Sequence, residues 1–240
     1  MTTTSIALTE TPQVRRTLAL ADDALVLGHR TSEWTGHAPL LEEELALANI
    51  ALDLIGQARA LYQAAGELTG HSEDELAYLR DPPAFRNALI MELPNGDFAF
   101  TIARLLLVSA ASDLFWRATC ASSDAALAAI AAKAEKETAY HLRHAAEWLI
   151  RLGDGTDESH RRTQAALDAL WPYTGELFGS LDGRQAWSAI VDPILARATL
   201  SRPHDGWMQS GGRAGRHTEH LGHLLAEMQS LPRTFPGATW

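Results

Sequence analysis

The segment from residue 39 to residue 68 constrains the fold most, because two apolar stripes run along it at helical spacing. Two stripes predict packing on two sides of one long helix, as in an inner helix of a bundle. Pro39 and the glutamates at 42–44 suit the start of that helix. The stripes consist of Leu41, Leu45, Ala48, Leu52, Ile55 and Tyr62, and of Leu47, Ile50, Leu54, Ala58, Leu61, Ala65 and Leu68.

Helical periodicity also dominates the rest of the chain, and no run of residues alternates as a strand would. Several predicted helices exceed 20 residues, which favours a long-helix bundle. No low-complexity linker or change in composition marks a boundary, so we predict one all-α domain over residues 1–240, with additional short helices. The other predicted helices cover about residues 11–28, 73–80, 85–92, 97–120, 125–152, 156–173, 185–200 and 217–231.

Composition excludes several classes of function. The 240 residues carry a formal net charge of -10, which argues against nucleic acid or an anionic membrane as a partner. Cys120 is the only cysteine, so an intrachain disulfide and cysteine-based metal sites are excluded. The first residues lack the pattern of a signal peptide, and the most apolar run, 102–111, is shorter than the roughly 20 residues of a membrane span. We therefore predict a cytoplasmic protein.

A di-iron site is the first chemistry to consider for a long-helix bundle. Such a site takes a glutamate from each of two helices and Glu-x-x-His from each of the other two. No glutamate in this sequence has histidine at the third following position. Instead, histidine follows at the fourth position in the pairs Glu33/His37, Glu137/His141 and Glu219/His223.

The alternatives for these residues differ in kind. For Glu137 and His141 we favour a structural pair over a metal site. His141 lies on a predicted core-facing seam, which consists of Leu127, Ala131, Ala134, Thr138, His141, Ala145, Trp148 and Leu152. His217 and His220 lie three residues apart and could share a ligand, but a polar helix start is the simpler reading. Asn49 and Asp53 read as a polar i,i+4 pair, and the helix at 97–120 contains no glutamate. A metal-binding oxidase acting on its own remains the alternative function.

Two further features could contact anions. The Gly- and Arg-rich loop at 211–216 precedes a predicted helix start, where a phosphate could bind, although a plain loop is favoured. Arg80 and Arg86 make a second possible anion contact, and surface solvation is the alternative.

Several motifs resemble the family of C subunits of bacterial phenylacetyl-CoA epoxidases, also called ring 1,2-epoxidases, and together they extend over nearly the whole chain. They are LGHRTSEWTGHAP at 27–39, LALANIALDLIGQAR at 45–59, PNGDFA at 94–99, YHLR at 140–143, RLGDGT at 151–156 and HTEHLG at 217–222.

The resemblance implies a ferritin-like fold and a role in a multicomponent, NADPH-dependent monooxygenase of phenylacetate degradation. In that system a related A subunit holds the di-iron centre, a small B subunit joins the assembly, and a reductase with FAD and an iron–sulfur cluster supplies electrons. The C subunit is the non-catalytic partner of A and holds no cofactor.

The resemblance also gives the candidate residues their expected roles. Phenylacetyl-CoA is expected near the A–C interface, and Phe85, Arg86 and Asn87 are our choice for its contact. The remaining candidates are interpreted as vestiges of a metal site, with no catalytic residue and no metal ligand among them. They are Asn49, Asp53, Glu137, His141, His217 and His220.

Overall fold

The structure is a computed structural model that describes residues 5–178 and 181–238, and the regular elements within those ranges are all helical. The predicted all-α class is confirmed. The α-helices are α1 Pro12–Ser32, α2 Leu41–Thr69, α3 Glu73–Tyr78, α4 Leu89–Glu92, α5 Phe98–Thr119, α6 Ala125–Gly153, α7 Asp157–Leu170, α8 Leu181–Arg197, α9 Glu219–Met228 and α10 Ser230–Thr234. Short 3-10 helices cover Pro82–Ala84, Trp171–Leu177 and Gly212–Ala214.

The predicted short helix at 85–92 is wrong over its first half, because only Leu89–Glu92 is helical. The backbone N–H of Arg86 donates to Asp22 at 2.7 Å, and that of Ala88 donates to Asp23 at 2.7 Å. These bonds hold the segment before α4 in an extended conformation, which local periodicity could not predict.

The predicted helix at 217–231 is also wrong at its ends. Its first helical residue is Glu219, because the N–H of Thr218 donates to the carboxylate of Glu92 at 2.6 Å. At its far end α9 stops at Met228, and α10 follows separately. Between the predicted helices at 156–173 and 185–200 the sequence predicts a loop at 175–183, but this loop is partly helical, because a 3-10 helix extends to Leu177 and α8 begins at Leu181. Residues 179–180 of that loop and residues 1–4 of the chain lie outside the described residues.

The chain divides into two compact units, and the prediction of one domain stays a prediction. The first unit contains α1, α2 from Ala51 onward, α3, α4, α9 and α10. Its helices α1 and α2 pack closely at Gly28, where an added Cβ would lie 3.1 Å from Ile55 Cγ1 and 3.3 Å from Leu54 Cβ. A larger side chain at this position would force the two helices apart.

The second unit contains the start of α2 together with α5, α6, α7 and α8. Helix α5 is its centre: residues 101–110 are buried without interruption, and α6, α7 and α8 pack against it. Asp97 caps α5 by accepting from the N–H of Phe100 at 2.9 Å. The indole N–H of Trp187 in α8 donates to the carbonyl of Leu107 at 2.9 Å, so this buried donor has a hydrogen-bond partner inside the core.

Within the described ranges, α5 is the helix long and apolar enough to cross a membrane. However, 67% of its most apolar window is buried inside the protein. The core helix of a soluble protein passes the same test of length and composition, so α5 is weak evidence for a membrane span.

Candidate functional site

A buried acid–base cluster lies in the first unit around Asp22 of α1. The Asp22 carboxylate accepts from Arg80 Nη1 at 3.1 Å, from Arg80 Nη2 at a shorter distance, and from the Tyr62 hydroxyl at 2.5 Å. The side chains of Asp22 and Arg80 are completely buried. Burial and the neighbouring Asp22 charge raise the pKa of Tyr62 well above its usual value, so this phenol remains a hydrogen-bond donor.

The next residue, Asp23, anchors the Gly- and Arg-rich loop. Arg213 donates to both Asp23 oxygens, at 2.9 and 2.6 Å, and also to the carbonyl of Arg86 at 2.9 Å. Burial raises the pKa of Asp23, although Arg213 opposes that shift. The loop that was considered for phosphate binding, and favoured as a plain loop, therefore presents Arg213 to a carboxylate of the protein itself.

Glu92, at the end of α4, organises a second buried cluster. Its carboxylate accepts from Asn87 Nδ2 at 2.8 Å and from the N–H of Thr218 at 2.6 Å, and it lies 2.7 Å from His217 Nδ1. The other ring nitrogen, His217 Nε2, faces the carbonyl of Phe85 at 3.1 Å. Since Nε2 must donate to that carbonyl, one further proton has to lie between Nδ1 and Glu92.

The metal-site candidates predicted for the last helix lie in α9 or just before it. His217 lies before α9, and both its ring nitrogens are occupied by oxygen atoms of the protein. His220 is half-buried, and its backbone carbonyl accepts from Arg30 at 3.2 Å. Glu219 and His223 are exposed.

In α6, His141 is buried, and Glu137 lies 3.3 Å from Lys133. The core-facing seam predicted for this helix is confirmed from Ala131 to Ala145. Further along it is wrong, because Leu149 and Gly153 are buried where Trp148 and Leu152 were expected. The helical period moves the seam by one residue over that length.

A neighbouring histidine contact was missed by sequence reasoning. His144 Nε2 lies 2.8 Å from Glu43 Oε2, and so joins α6 to the first turn of α2. His144 Nδ1 is buried with no hydrogen-bond partner within the described residues. The three consecutive glutamates at 42–44 all suit the start of α2, and nothing in the sequence distinguishes Glu43 from its neighbours.

The predicted contacts of the CoA ester are engaged within the protein. The Phe85 ring is buried, and the Cζ atom of the Arg80 guanidinium lies 4.2 Å from the centre of the ring. Arg86 donates to Glu10 at 2.6 and 3.1 Å, and Asn87 is buried beside Glu92. Their role in binding a CoA ester stays a prediction.

Helix α2 carries the polar pair and a large exposed apolar surface. Asn49 is exposed and donates to the carbonyl of Leu45 at 2.8 Å, while Asp53 is half-buried. Leu41, Leu45 and Leu52 lie on one face of this helix and are 70%, 58% and 66% exposed. We call them the leucine face. Part of one predicted packing stripe is thus left uncovered, which is typical of a protein–protein interface.

The side chains of these clusters bond to one another and so hold the fold, and few of them are free to act as metal ligands. Within residues 5–178 and 181–238, no group of three or more His, Cys, Asp or Glu side chains is placed to hold a metal ion. The vestigial-site interpretation of the six candidates stays a prediction. The sequence signal that we missed is the placement of Asp22, Asp23 and Glu92 inside otherwise apolar helical runs, where a buried carboxylate needs a partner.

Comparison with known proteins identifies related sequences. All 240 residues match the model of the family described as "Phenylacetic acid catabolic protein". The chain is also 48% identical over 241 residues to a protein of Escherichia coli (strain K12) that is named as the C subunit of 1,2-phenylacetyl-CoA epoxidase. That similarity covers 93% of this chain and 97% of the relative.

Proposed function

Because the chain belongs to the phenylacetic acid catabolic protein family, we propose that it is the non-catalytic C subunit of a phenylacetyl-CoA 1,2-epoxidase. The observation that carries the proposal is the 48% identity to a relative with that name over nearly the full length of both chains. In this role the chain packs against the catalytic A subunit and supports it during aerobic phenylacetate degradation.

The polar interior supports a structural role. The buried carboxylates of Asp22, Asp23 and Glu92 are bonded to Arg80, Arg213, His217 and backbone N–H groups, so they are not free to bind a metal ion. Breaking one of these bonds to free a ligand would leave a buried charge unpaired, which costs several kcal/mol. The sequence, which lacks Glu-x-x-His, agrees with this reading.

The leucine face supports the assignment of a protein partner. Three leucines along one helix expose an apolar surface that water solvates poorly, and a second protein chain would remove it from water. We propose that this face packs against the A subunit. The small B subunit and the reductase join the assembly, with the di-iron centre in A and FAD, the iron–sulfur cluster and NADPH in the reductase. Phenylacetyl-CoA lies near the A–C interface.

Co-expression with the A subunit tests this function. The chain is expected to co-purify with A in fixed proportion, and iron measured by plasma emission spectroscopy is expected to follow A. Alanine at Glu137 and His141 leaves the iron content of the complex unchanged. Iron bound by the isolated chain, and lost in that double variant, would instead establish the alternative of an oxidase acting on its own. If the chain failed to co-purify with A, the proposed structural role would be wrong.

A further inference from the structure

The outer face of α6 is a row of charged side chains at helical spacing. The exposed positions follow one another at intervals of three and four residues, while Ala131, Ala134, Thr138, His141 and Ala145 face the core. We call this row the basic face. It consists of Lys133, Lys136, Tyr140, Arg143, Glu147 and Arg151.

The charge of this face differs from that of the chain. The chain has a formal net charge of -10, yet its only two lysines, Lys133 and Lys136, both lie here. With Arg143 and Arg151 they make four cations on a single helix surface. Glu147 is the one acidic member of the row, and Glu137, at its edge, pairs with Lys133. The basic face therefore carries a net positive charge.

Most exposed arginines elsewhere are neutralised by the protein itself. Arg59 pairs with Glu73, Arg162 with Glu158, and Arg202 with Asp205. Within the described part of the chain, by contrast, no carboxylate oxygen lies within 4.0 Å of the charged groups of Lys136, Arg143 or Arg151.

Two of these cations are positioned by aromatic rings. The guanidinium of Arg143 lies 5.6 Å from the centre of the Tyr140 ring, and that of Arg151 lies 5.3 Å from the centre of the Trp148 ring. Such stacking restrains the side chain and leaves the N–H groups free to bind a carboxylate in bidentate fashion. The exposed Tyr140 adds a flat amphipathic contact between them.

The spacing of the cations selects the kind of partner. Lys136, Arg143 and Arg151 are separated by about 10 and 12 Å along the helix axis. Each can therefore meet one carboxylate of a protein surface. Nucleic acid is a poor fit, because its phosphates are much more closely spaced and the rest of this chain would repel it.

We propose that the basic face docks a transiently bound partner protein through an acidic surface, and that this partner is the component that delivers electrons to the epoxidase. The inference rests on the function proposed above. A partner that must bind and leave in each turnover suits a small, charged contact, since complementary charge speeds association more than it deepens affinity. The leucine face makes the stable contact with the A subunit.

Charge reversal in the assembled complex tests the inference, with the reductase as the probe. Lys136→Glu, Arg143→Glu and Arg151→Glu are combined in this chain, and turnover is measured against reductase concentration. At low ionic strength the half-saturating reductase concentration is expected to rise about tenfold, with the rate at saturation within about twofold of the original. Added salt is expected to weaken binding to the original complex and to strengthen binding to the variant, because it screens attraction in the first and repulsion in the second.

A matched control reverses three exposed cations elsewhere. Arg16→Glu, Arg197→Glu and Arg216→Glu change the net charge of the chain by the same amount and are expected to leave the half-saturating concentration unchanged. Equal effects of the two triple variants, or no effect of the first, would overturn the inference. So would loss of binding to the A subunit in the first variant, because the basic face would then belong to the stable interface. If the original chain fails to bind A, the proposed function fails first, and the two failures are distinguishable.

Discussion

The Asp22–Arg80 pair shows what a buried charge requires in this protein. Both side chains are fully enclosed, and Tyr62 and the N–H of Arg86 complete the hydrogen bonds of the carboxylate. Burial acts to lower the pKa of Arg80, but the charge and hydrogen bonds of Asp22, together with Tyr62 and Glu10, outweigh it and raise the pKa. Such a pair fixes the position of α1 relative to the segment after α3, because neither ion is stable there without the other.

A more exposed carboxylate, Asp205, gives a pH-dependent prediction. Burial acts to raise its pKa, but hydrogen bonds from Arg202, Trp171 and Arg184 lower it to about 2. Because the folded pKa lies below the ordinary value of 3.8, the stabilisation is present above pH 3.8 and is lost as the pH falls towards 2. Asp205→Asn is expected to lower the Tm by about 2–4 °C at pH 6, since the carboxylate is partly solvated.

The difference in Tm between the original protein and Asp205→Asn is expected to shrink as the pH is lowered from 6 to 3, measured by circular dichroism. Asp192→Asn is the control, because Asp192 contacts only Arg202 of this group and lacks the bond to Trp171. A difference that stays constant or grows towards acid pH would contradict the assigned role of Asp205.

Where two helices approach closely, replacing glycine by alanine is expected to destabilise the protein, which is the reverse of its usual effect in a helix. Replacing glycine by alanine inside a helix normally stabilises it by up to about 1 kcal/mol. At Gly153, the last residue of α6, an added Cβ would lie 2.9 Å from Ala198 Cβ and closer still to the Ala198 carbonyl oxygen, just past the end of α8. We expect Gly153→Ala to lower the free energy of unfolding by about 1–3 kcal/mol, because the helices must move apart.

Gly222 in α9 provides the matched comparison, because nothing lies within 4 Å of the position of an added Cβ. Gly222→Ala is expected to raise the free energy of unfolding by up to about 1 kcal/mol. Urea unfolding followed by circular dichroism measures both variants. Changes of the same sign in the two would show that packing between α6 and the end of α8 does not determine the response.

Helix identity was predictable from the sequence, whereas several helix ends were not. The apolar period is a local property, so the long helices could be located from it. The start of α9 depends on Glu92, which lies 126 residues before Thr218 in sequence, and the extended segment before α4 depends on Asp22 and Asp23 of α1. Contacts between distant residues decide these ends, and a local pattern does not contain them.

For the whole molecule, the same distinction separates the predictable features of the site from the others. The missing Glu-x-x-His is visible in the sequence, and so is the apolar stripe that contains Leu41 and Leu52. Which part of that stripe stays uncovered depends on the packing of every other helix. A face that is apolar by sequence and exposed in the folded chain carries information that neither observation holds alone, and it points to a binding partner.

The leucine face therefore predicts a separation between stability and assembly. Leu41→Asp combined with Leu45→Asp is expected to leave the Tm of the isolated chain within about 2 °C, because both side chains are already solvated. Binding of the A subunit is expected to raise the Tm of the original chain in proportion to the logarithm of its excess over Kd. The double variant is expected to lose that increase, because each aspartate would bury an unpaired charge in the interface.

Differential scanning fluorimetry with increasing A subunit measures both effects. Leu231→Asp serves as the control, because Leu231 is 56% exposed but lies outside the leucine face. It is expected to preserve the full increase in Tm. If the double variant were stabilised by A as strongly as the original chain, the A subunit would bind elsewhere. If the double variant were unstable alone, the leucines would contribute to the fold of the chain itself.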